Sequence, residues 1–363
     1  MNTKKIKLIT LSIVLLFFAG CQVVYEPDNI SSNEKIIVIE GSLNDIDSRA
    51  SVNVSYASAF GNNGYTYIKT ASVWLKDDNG NSYPMSLSGN TYYLSTSSIT
   101  FSESTRYYIH VETDNGKIYE SEPQSLPGYI DVEDMYAEIG EYVNNSYNEL
   151  GEVITQTFDG LFLYMSIKSD NDTRRYIRFE NTAIYQSAYS YHTSISTYPI
   201  IVRCIKQNQL NSLPIIGSTF ATDNGEEITG KNIGFVAYEA DYTTLTDTST
   251  TRLSTGWVII SNTYSLSSEN YNYYEEVNDQ LSADSKMFDP VPSQIIGNIK
   301  CISDSNEVVL GNFEVSRGVR KYYAFNWSSG GKTYKKKELE SYNAPSGTFC
   351  TDTVPDFDWI TFY

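Results

Sequence analysis

The sequence predicts a mainly all-β protein: an N-terminal immunoglobulin-like β-sandwich, then a larger β-rich domain carrying one amphipathic helix. Three observations predict it. Short runs of alternating polar and apolar residues recur along the chain, separated by turn signals such as Asp78-Asn79-Gly80 and Asp114-Asn115-Gly116. There are 31 Tyr against 2 His, and Tyr, Thr, Val and Ile favour strands, where a Tyr ring can lie on the sheet with its hydroxyl in water. One segment alone, near 268–285, repeats its apolar residues at helical spacing.

Residues 1–20 read as a secretion signal rather than as part of the fold. Lys4, Lys5 and Lys7 precede the apolar run Leu8 to Phe18, and Ala19-Gly20-Cys21 completes a lipobox, with Phe18 where Leu is usual. The apolar run is shorter than the roughly 20 residues that span a bilayer. Cys21 is therefore expected to be the first residue of the mature chain and to carry lipid; the alternatives are an N-terminal membrane helix or a cleaved signal without lipid. Residues 21–34, with Pro27, Asp28, Asn29, Ser31, Ser32 and Asn33, have little to bury and read as a tether.

The sandwich is expected over 35–122. Ile36 to Glu40 is a strand, and Ser51 to Tyr56 alternates strictly. Thr70 to Lys76 follows with Val73 and Leu75, then Tyr92 and Leu94, then Tyr107, Ile109 and Val111 in alternation. Asp114-Asn115-Gly116 is a hairpin signal with Lys117 to Ser121 returning. About seven strands in some 90 residues suit an immunoglobulin-like sandwich.

Pro123 to Gly128 marks the expected domain boundary, and 128–363 the second domain. Its strands are read at Gly160–Lys168, Tyr176–Glu180, Ile200–Lys206, Gly234–Glu239, Gly256–Asn262, Ile295–Cys301, Glu307–Val315 and Tyr322–Trp327. The helix begins at a Ser267 or Ser268 cap, shows Tyr271, Tyr274, Val277 and Leu281 on one stripe, and cannot run past Pro290 and Pro292. Lys335-Lys336-Lys337 reads as a solvated hairpin edge.

Charge narrows the partners. The chain carries a net charge of −18, and without the three lysines of residues 1–20 it stands at −21. So acidic a body repels nucleic acid and anionic membrane surface. After Cys21, the cysteines are Cys204, Cys301 and Cys350. In an oxidising compartment an odd count permits at most one internal bridge, and which pair forms it stays open.

Catalytic patterns are weak. Ser329-Gly330-Gly331-Lys332 and Ser169-Asp170-Asn171 match pieces of penicillin-recognising enzymes, but in the wrong order and without Lys-Thr-Gly. His110 and His192 have no zinc-like spacing. The run Asp77 to Asn81 lacks the Gly and Glu of an EF-hand, and Asp170-Asn171-Asp172 leaves only an irregular calcium site conceivable. The candidate binding cluster is aromatic: Tyr185, Tyr189, Tyr191 and Tyr198 around His192, suited to stacking on a glycan or gripping a peptide.

Leu266-Ser-Ser-Glu-Asn-Tyr271-Asn-Tyr-Tyr274, Met287-Phe-Asp-Pro290-Val-Pro-Ser293, Gly297-Asn298-Ile299 and Val309-Leu-Gly-Asn-Phe313 resemble the domain of unknown function 4249 family. Ile37 to Gly41 and Gly116 to Ser121 fit it too. The resemblance implies an outer-membrane lipoprotein of Gram-negative bacteria, often encoded beside a TonB-dependent receptor, with no catalytic residues to carry over. Relatives are richer in cysteine near the C-terminus, where Cys350 stands singly. The expectation is a non-enzymatic lipoprotein, anchored in the outer membrane and facing the cell surface, that helps a TonB-dependent transporter capture ligand. The alternatives are a structural or adhesive envelope protein and a polysaccharide hydrolase. The Pro-rich cluster itself reads as packing, with Gly297-Asn298 suited to a tight turn or bulge.

Overall fold

In the computed structural model the described residues are 36–57, 66–97, 99, 101–147, 152–168, 175–191, 200–209, 219–222, 227–237, 244–245, 248–249, 253–282, 295–327, 334–341 and 349–351. Most of them lie in strands, the fold is mainly all-β, and the described residues hold one helix, Ser268–Ser282.

The N-terminal alternation becomes burial as expected. Arg49–Tyr56 buries Ala50, Val52 and Val54, and Arg106–Glu112 buries Tyr107, Ile109 and Val111. The glycine turns fall where the chain reverses: Gly80 and Gly116 have φ of 87° and 80°, a region that a Cβ disfavours. Asp77 Oδ1 accepts the backbone N–H groups of Asn79 (3.0 Å) and Asn81 (2.9 Å), so the run resembling a calcium loop is a side-chain-braced turn.

Two sheets enclose the first core. One runs Phe313–Trp327, Ile37–Asn44, Arg49–Tyr56, Thr91–Ser95, Ser86–Ser88; the other runs Ile299–Cys301, Ile118–Ser121, Arg106–Glu112, Ser72–Asp77, Ser82–Pro84. Ile39, Val52, Leu75, Ile109 and Phe313 meet inside, fully buried. Both sheets take in strands from beyond residue 298, Val309–Leu310 and Phe313–Trp327 in the first and Ile299–Cys301 in the second. The core that opens at Ile37 thus takes in residues 299–315, across the boundary expected at 123–128. Gln124–Ser125 does not lead away from these sheets either but pairs with Tyr107 and Arg106. The physical reason is that Ile37–Asn44, which buries Ile37, Ile39 and Leu43, would otherwise present an open edge.

The first sheet continues past Phe313–Trp327 through Leu253–Leu266 and Arg175–Tyr191 to Ile200–Gln209 and Phe349–Thr351. A three-stranded sheet of Val132–Tyr147, Val153–Ile167 and Ile228–Ala237 covers this second half. Met135, Leu163 and Met165 there pack against Phe179, Trp257 and Phe325. The chain breaks at Gly311-Asn312 rather than after Val315, and residues read as two strands form one, Phe313–Trp327. Its first residues pair in parallel with Gly41–Asn44, and residues 317–326 pair antiparallel with 256–265. Phe313 and Val315 enter the first core, Tyr323 and Phe325 the second. The alternate residues face the other side, where the helix lies.

Ser267 caps that helix, its Oγ accepting the Asn270 N–H at 3.2 Å. Tyr334–Leu339 forms the expected edge strand, but Lys336 is not merely solvated: its Nζ lies 2.6 Å from Asp134 Oδ1 and 2.7 Å from the Met135 carbonyl. Among the described residues, no helix is long and apolar enough to cross a membrane.

Candidate functional site

Val132–Tyr147 and Val153–Ile167 form a long hairpin that the sequence analysis read only from Gly160 onward. They pair from Tyr147 opposite Val153 down to Val132 opposite Ile167. The inner half is buried through Met135, Ala137, Leu161 and Leu163. The third strand, Ile228–Ala237, follows it only as far as Ala237 opposite Gly160. Beyond that rung the hairpin stands in solvent, residues 153–159 all exposed, an arm about 23 Å long at strand rise. Five of the ten exposed large hydrophobics among the described residues lie on this hairpin: Ile139, Val143, Val153, Ile154 and Phe158. Val143 and Val153 are 51% and 58% exposed. Glu141 sits directly opposite Asp159, a like-charge rung that weakens an isolated hairpin. Apolar side chains concentrated on one projecting element characterise a contact surface.

The root of the arm is aromatic. Phe235 meets Phe162 at 4.8 Å and Tyr142 at 5.3 Å between centroids. Gly140 opposite Gly160 makes room for these rings, since a Cβ on Gly160 would stand 2.5 Å from Phe235 Cζ.

The aromatic cluster expected from the sequence falls partly in view. Tyr185, Tyr189 and Tyr191 share the strand Arg175–Tyr191, opposite Lys206, Val202 and Ile200. His192, Tyr198 and Cys21 lie outside the described residues, as do Ser169, Asp170, Asn171, Asp172, Ser329 and Lys332. His110 is satisfied in place: Nδ1 is 2.6 Å from Glu120 Oε1, Nε2 is 3.0 Å from Glu112 Oε1, and the ring meets Trp74 edge-on. Among the described residues, no group of three or more His, Cys, Asp or Glu could hold a metal ion.

A charged cluster that the sequence analysis missed lies between the helix and the sheet. The Arg178 guanidinium stands 4.4 Å from the Tyr264 ring and 5.2 Å from the Tyr274 ring, and donates to Glu314 Oε1 at 2.9 Å. Ser316 Oγ donates to the same oxygen, and the Tyr274 hydroxyl to Oε2, each at 2.6 Å. Burial alone would raise the Glu314 carboxyl. The Arg178 charge and hydrogen bond, with the Ser316 and Tyr274 hydroxyls, outweigh it and hold the group below the ordinary carboxylate value. Burial, and then the Glu314 charge, push the Tyr274 hydroxyl well up. Both carboxylate oxygens are taken by donors of the chain itself and Glu314 is 3% exposed, so the cluster fastens the helix to the sheet rather than meeting substrate. The available signal was an Arg in the strand Tyr176–Glu180 and a Glu before Val315, each interrupting an apolar run.

Over residues 23–321 the chain matches the family described as domain of unknown function (DUF4249). The chain belongs to the DUF4249 family. No curated protein and no solved structure matches it.

Three of the segments that carried the DUF4249 resemblance, Ile37–Gly41, Gly297-Asn298-Ile299 and Val309–Phe313, meet at one backbone junction. Asn298 clamps Phe313 at both ends, Nδ2 donating to its carbonyl (2.8 Å) and Oδ1 accepting its N–H (2.9 Å). Gly297 lies against Gly311, where a Cβ would stand 1.8 Å from the carbonyl oxygen. Close approach of two backbones, rather than a turn at Gly297-Asn298, explains the glycine. Gly311 has φ of 96°, and a Cβ there would stand 2.1 Å from the Ile39 carbonyl oxygen. Next to it, the Asn312 carbonyl accepts the Gly41 N–H at 3.0 Å. The Met287 to Ser293 part of the DUF4249 cluster lies outside the described residues. Gly311→Ala is expected to cost about 3 kcal/mol or more, from the strained φ together with the backbone clash. A urea midpoint unchanged from the parent protein would refute this account of the junction.

Proposed function

We propose that this DUF4249 protein is a lipid-anchored outer-membrane lipoprotein, facing the cell surface, that works without catalysis as a docking module accessory to ligand capture by a TonB-dependent transporter. The observation that carries the docking role is the hairpin of residues 132–167 and its projecting arm, on which Ile139, Val143, Val153, Ile154 and Phe158 are exposed. The anchor is supported by the basic, apolar and Ala19-Gly20-Cys21 order of the first residues. Lipidation with more than one chain gives stable attachment. The N-terminal strand order supports an immunoglobulin-like spacer: Ile37–Asn44, Arg49–Tyr56, Thr91–Ser95 and Ser86–Ser88 on one side, and Ile118–Ser121, Arg106–Glu112, Ser72–Asp77 and Ser82–Pro84 on the other. The tyrosines Tyr185, Tyr189 and Tyr191, with His192 and Tyr198, remain the candidate glycan or peptide contacts.

The test is affinity purification of the tagged protein from detergent-solubilised outer membrane. A TonB-dependent receptor is expected to co-purify with the parent protein. The pair Val143→Asp and Phe158→Asp is expected to reduce its recovery at least tenfold while leaving the thermal midpoint in place, because both side chains are exposed. Recovery of no receptor with the parent protein would overturn the transporter role. Equal recovery with the double variant would overturn the role of the arm.

A further inference from the structure

Cys204 and Cys350 stand directly opposite one another on neighbouring antiparallel strands, and we propose that they close a cross-strand disulfide in the exported protein. The register is Arg203 opposite Thr351, Cys204 opposite Cys350, Ile205 opposite Phe349. Residues directly opposite in an antiparallel pair have Cα atoms about 4.5 or 5.5 Å apart, according to the type of rung. Disulfides span Cα separations of about 4.4–6.8 Å, so either rung accommodates the bond. The remaining thiol is accounted for elsewhere. Cys301 is free and buried on the strand Ile299–Cys301, in the other sheet, with Sγ 3.3 Å from Ser303 Oγ. With Cys21 assigned to lipid, the odd cysteine count resolves into one bridge and one sequestered thiol.

The bridge rests on the export reading, because a cytoplasmic thiol pool would keep both residues reduced. Its formation balances by exchange with the disulfide of a dithiol–disulfide oxidant. One Cys thiolate attacks that disulfide, the second Cys thiolate displaces the mixed link, and two protons and two electrons leave with the oxidant as its dithiol. The product matters because of where it sits. Phe349–Thr351 is three residues long, and it covers part of the outer edge of Ile200–Gln209, the end of the long sheet. So short a strand has few backbone hydrogen bonds to keep it in place, and an uncovered edge invites pairing with other chains. A covalent rung holds the cover on, and it closes a loop long enough to place its stabilisation at the upper end for disulfides.

The experiment has two arms. In the first, full-length protein from cells lysed into N-ethylmaleimide is digested without reduction and mapped by mass spectrometry. A linked peptide pair holding Cys204 and Cys350 is expected, with Cys301 alkylated only after unfolding. In the second, the same purified protein is reduced and then reoxidised with oxidised glutathione while folded. The same link is expected to return and to raise the thermal midpoint by roughly 5–10 °C over the reduced form. The gain is expected in Cys301→Ser and not in Cys204→Ser. Failure of the second arm, with both thiols still alkylated or either linked to Cys301, overturns the pairing itself. A link that forms in the second arm but is missing from cells overturns export, and the bridge in the cell with it.

Discussion

Glu314→Ala is expected to destabilise the folded chain by about 3–5 kcal/mol, the cost of removing one partner from a buried ion pair. The substitution leaves the Arg178 guanidinium between the Tyr264 and Tyr274 rings with its nearest anion gone, and strips the Tyr274 and Ser316 hydroxyls of their acceptor. The remaining carboxylate near Arg178, Glu180 at 3.8 Å, is too distant for a good hydrogen bond. The paired replacement Arg178→Met with Glu314→Leu is expected to cost far less, since swapping both charges for apolar groups removes the desolvation penalty as well. Urea denaturation of the parent and variants decides it, and a loss under 1 kcal/mol for Glu314→Ala would show that the pair is not what holds the helix down. The pair also sets the response to acid. The folded Glu314 carboxyl titrates below its ordinary 4.5, so its contribution is complete above that value and is lost as pH falls through the lower, folded one. Glu314→Gln is expected to lose less stability on acidification than the parent protein.

Cys21→Ser is expected to abolish membrane attachment: the protein should move from the outer-membrane pellet to the soluble fraction, with no acyl mass on its N-terminal peptide. The size of this effect follows from the rest of the chain. Its acidic body is repelled by anionic lipid, so the proposed lipid on Cys21 would be the attachment. A Cys21→Ser protein that still sediments with the outer membrane at high salt would remove Cys21 from its assigned role.

Local pattern was legible in the sequence wherever one face of a strand is wet and the other dry. Arg49–Tyr56 and Arg106–Glu112 were read from alternation, Gly80 and Gly116 from turn chemistry, and the helix from its 267 cap and Tyr spacing. The arm was not legible because its outer half has two wet faces. Glu141, Val143 and Asn145 share a side there with no core to sort them, so no period appears. The parallel pairing of Gly41–Asn44 with Phe313–Ser316 was invisible for another reason: nothing local encodes a neighbour so distant in sequence. Of the site residues, Tyr185, Tyr189 and Tyr191 were read as an aromatic stretch without an element and lie on the strand Arg175–Tyr191, whereas the Arg178–Glu314 pair drew no reading at all. Each is costly to bury alone, and only their meeting makes the position acceptable.

The strand Phe313–Trp327 also decides how the protein bears a pull. A lipid at Cys21 would make the first described strand, Ile37–Asn44, the point where tension from a moving partner enters. That strand is gripped along its length by Arg49–Tyr56 on one side and by 309–310 and 313–316 on the other. Force applied along it must shear whole rows of hydrogen bonds together instead of unzipping them singly. The next element to receive the force is a strand already embedded in the second core. Resistance to forced unfolding is a matter of rate, and here the slow step would involve both cores at once, a tether built to be tugged.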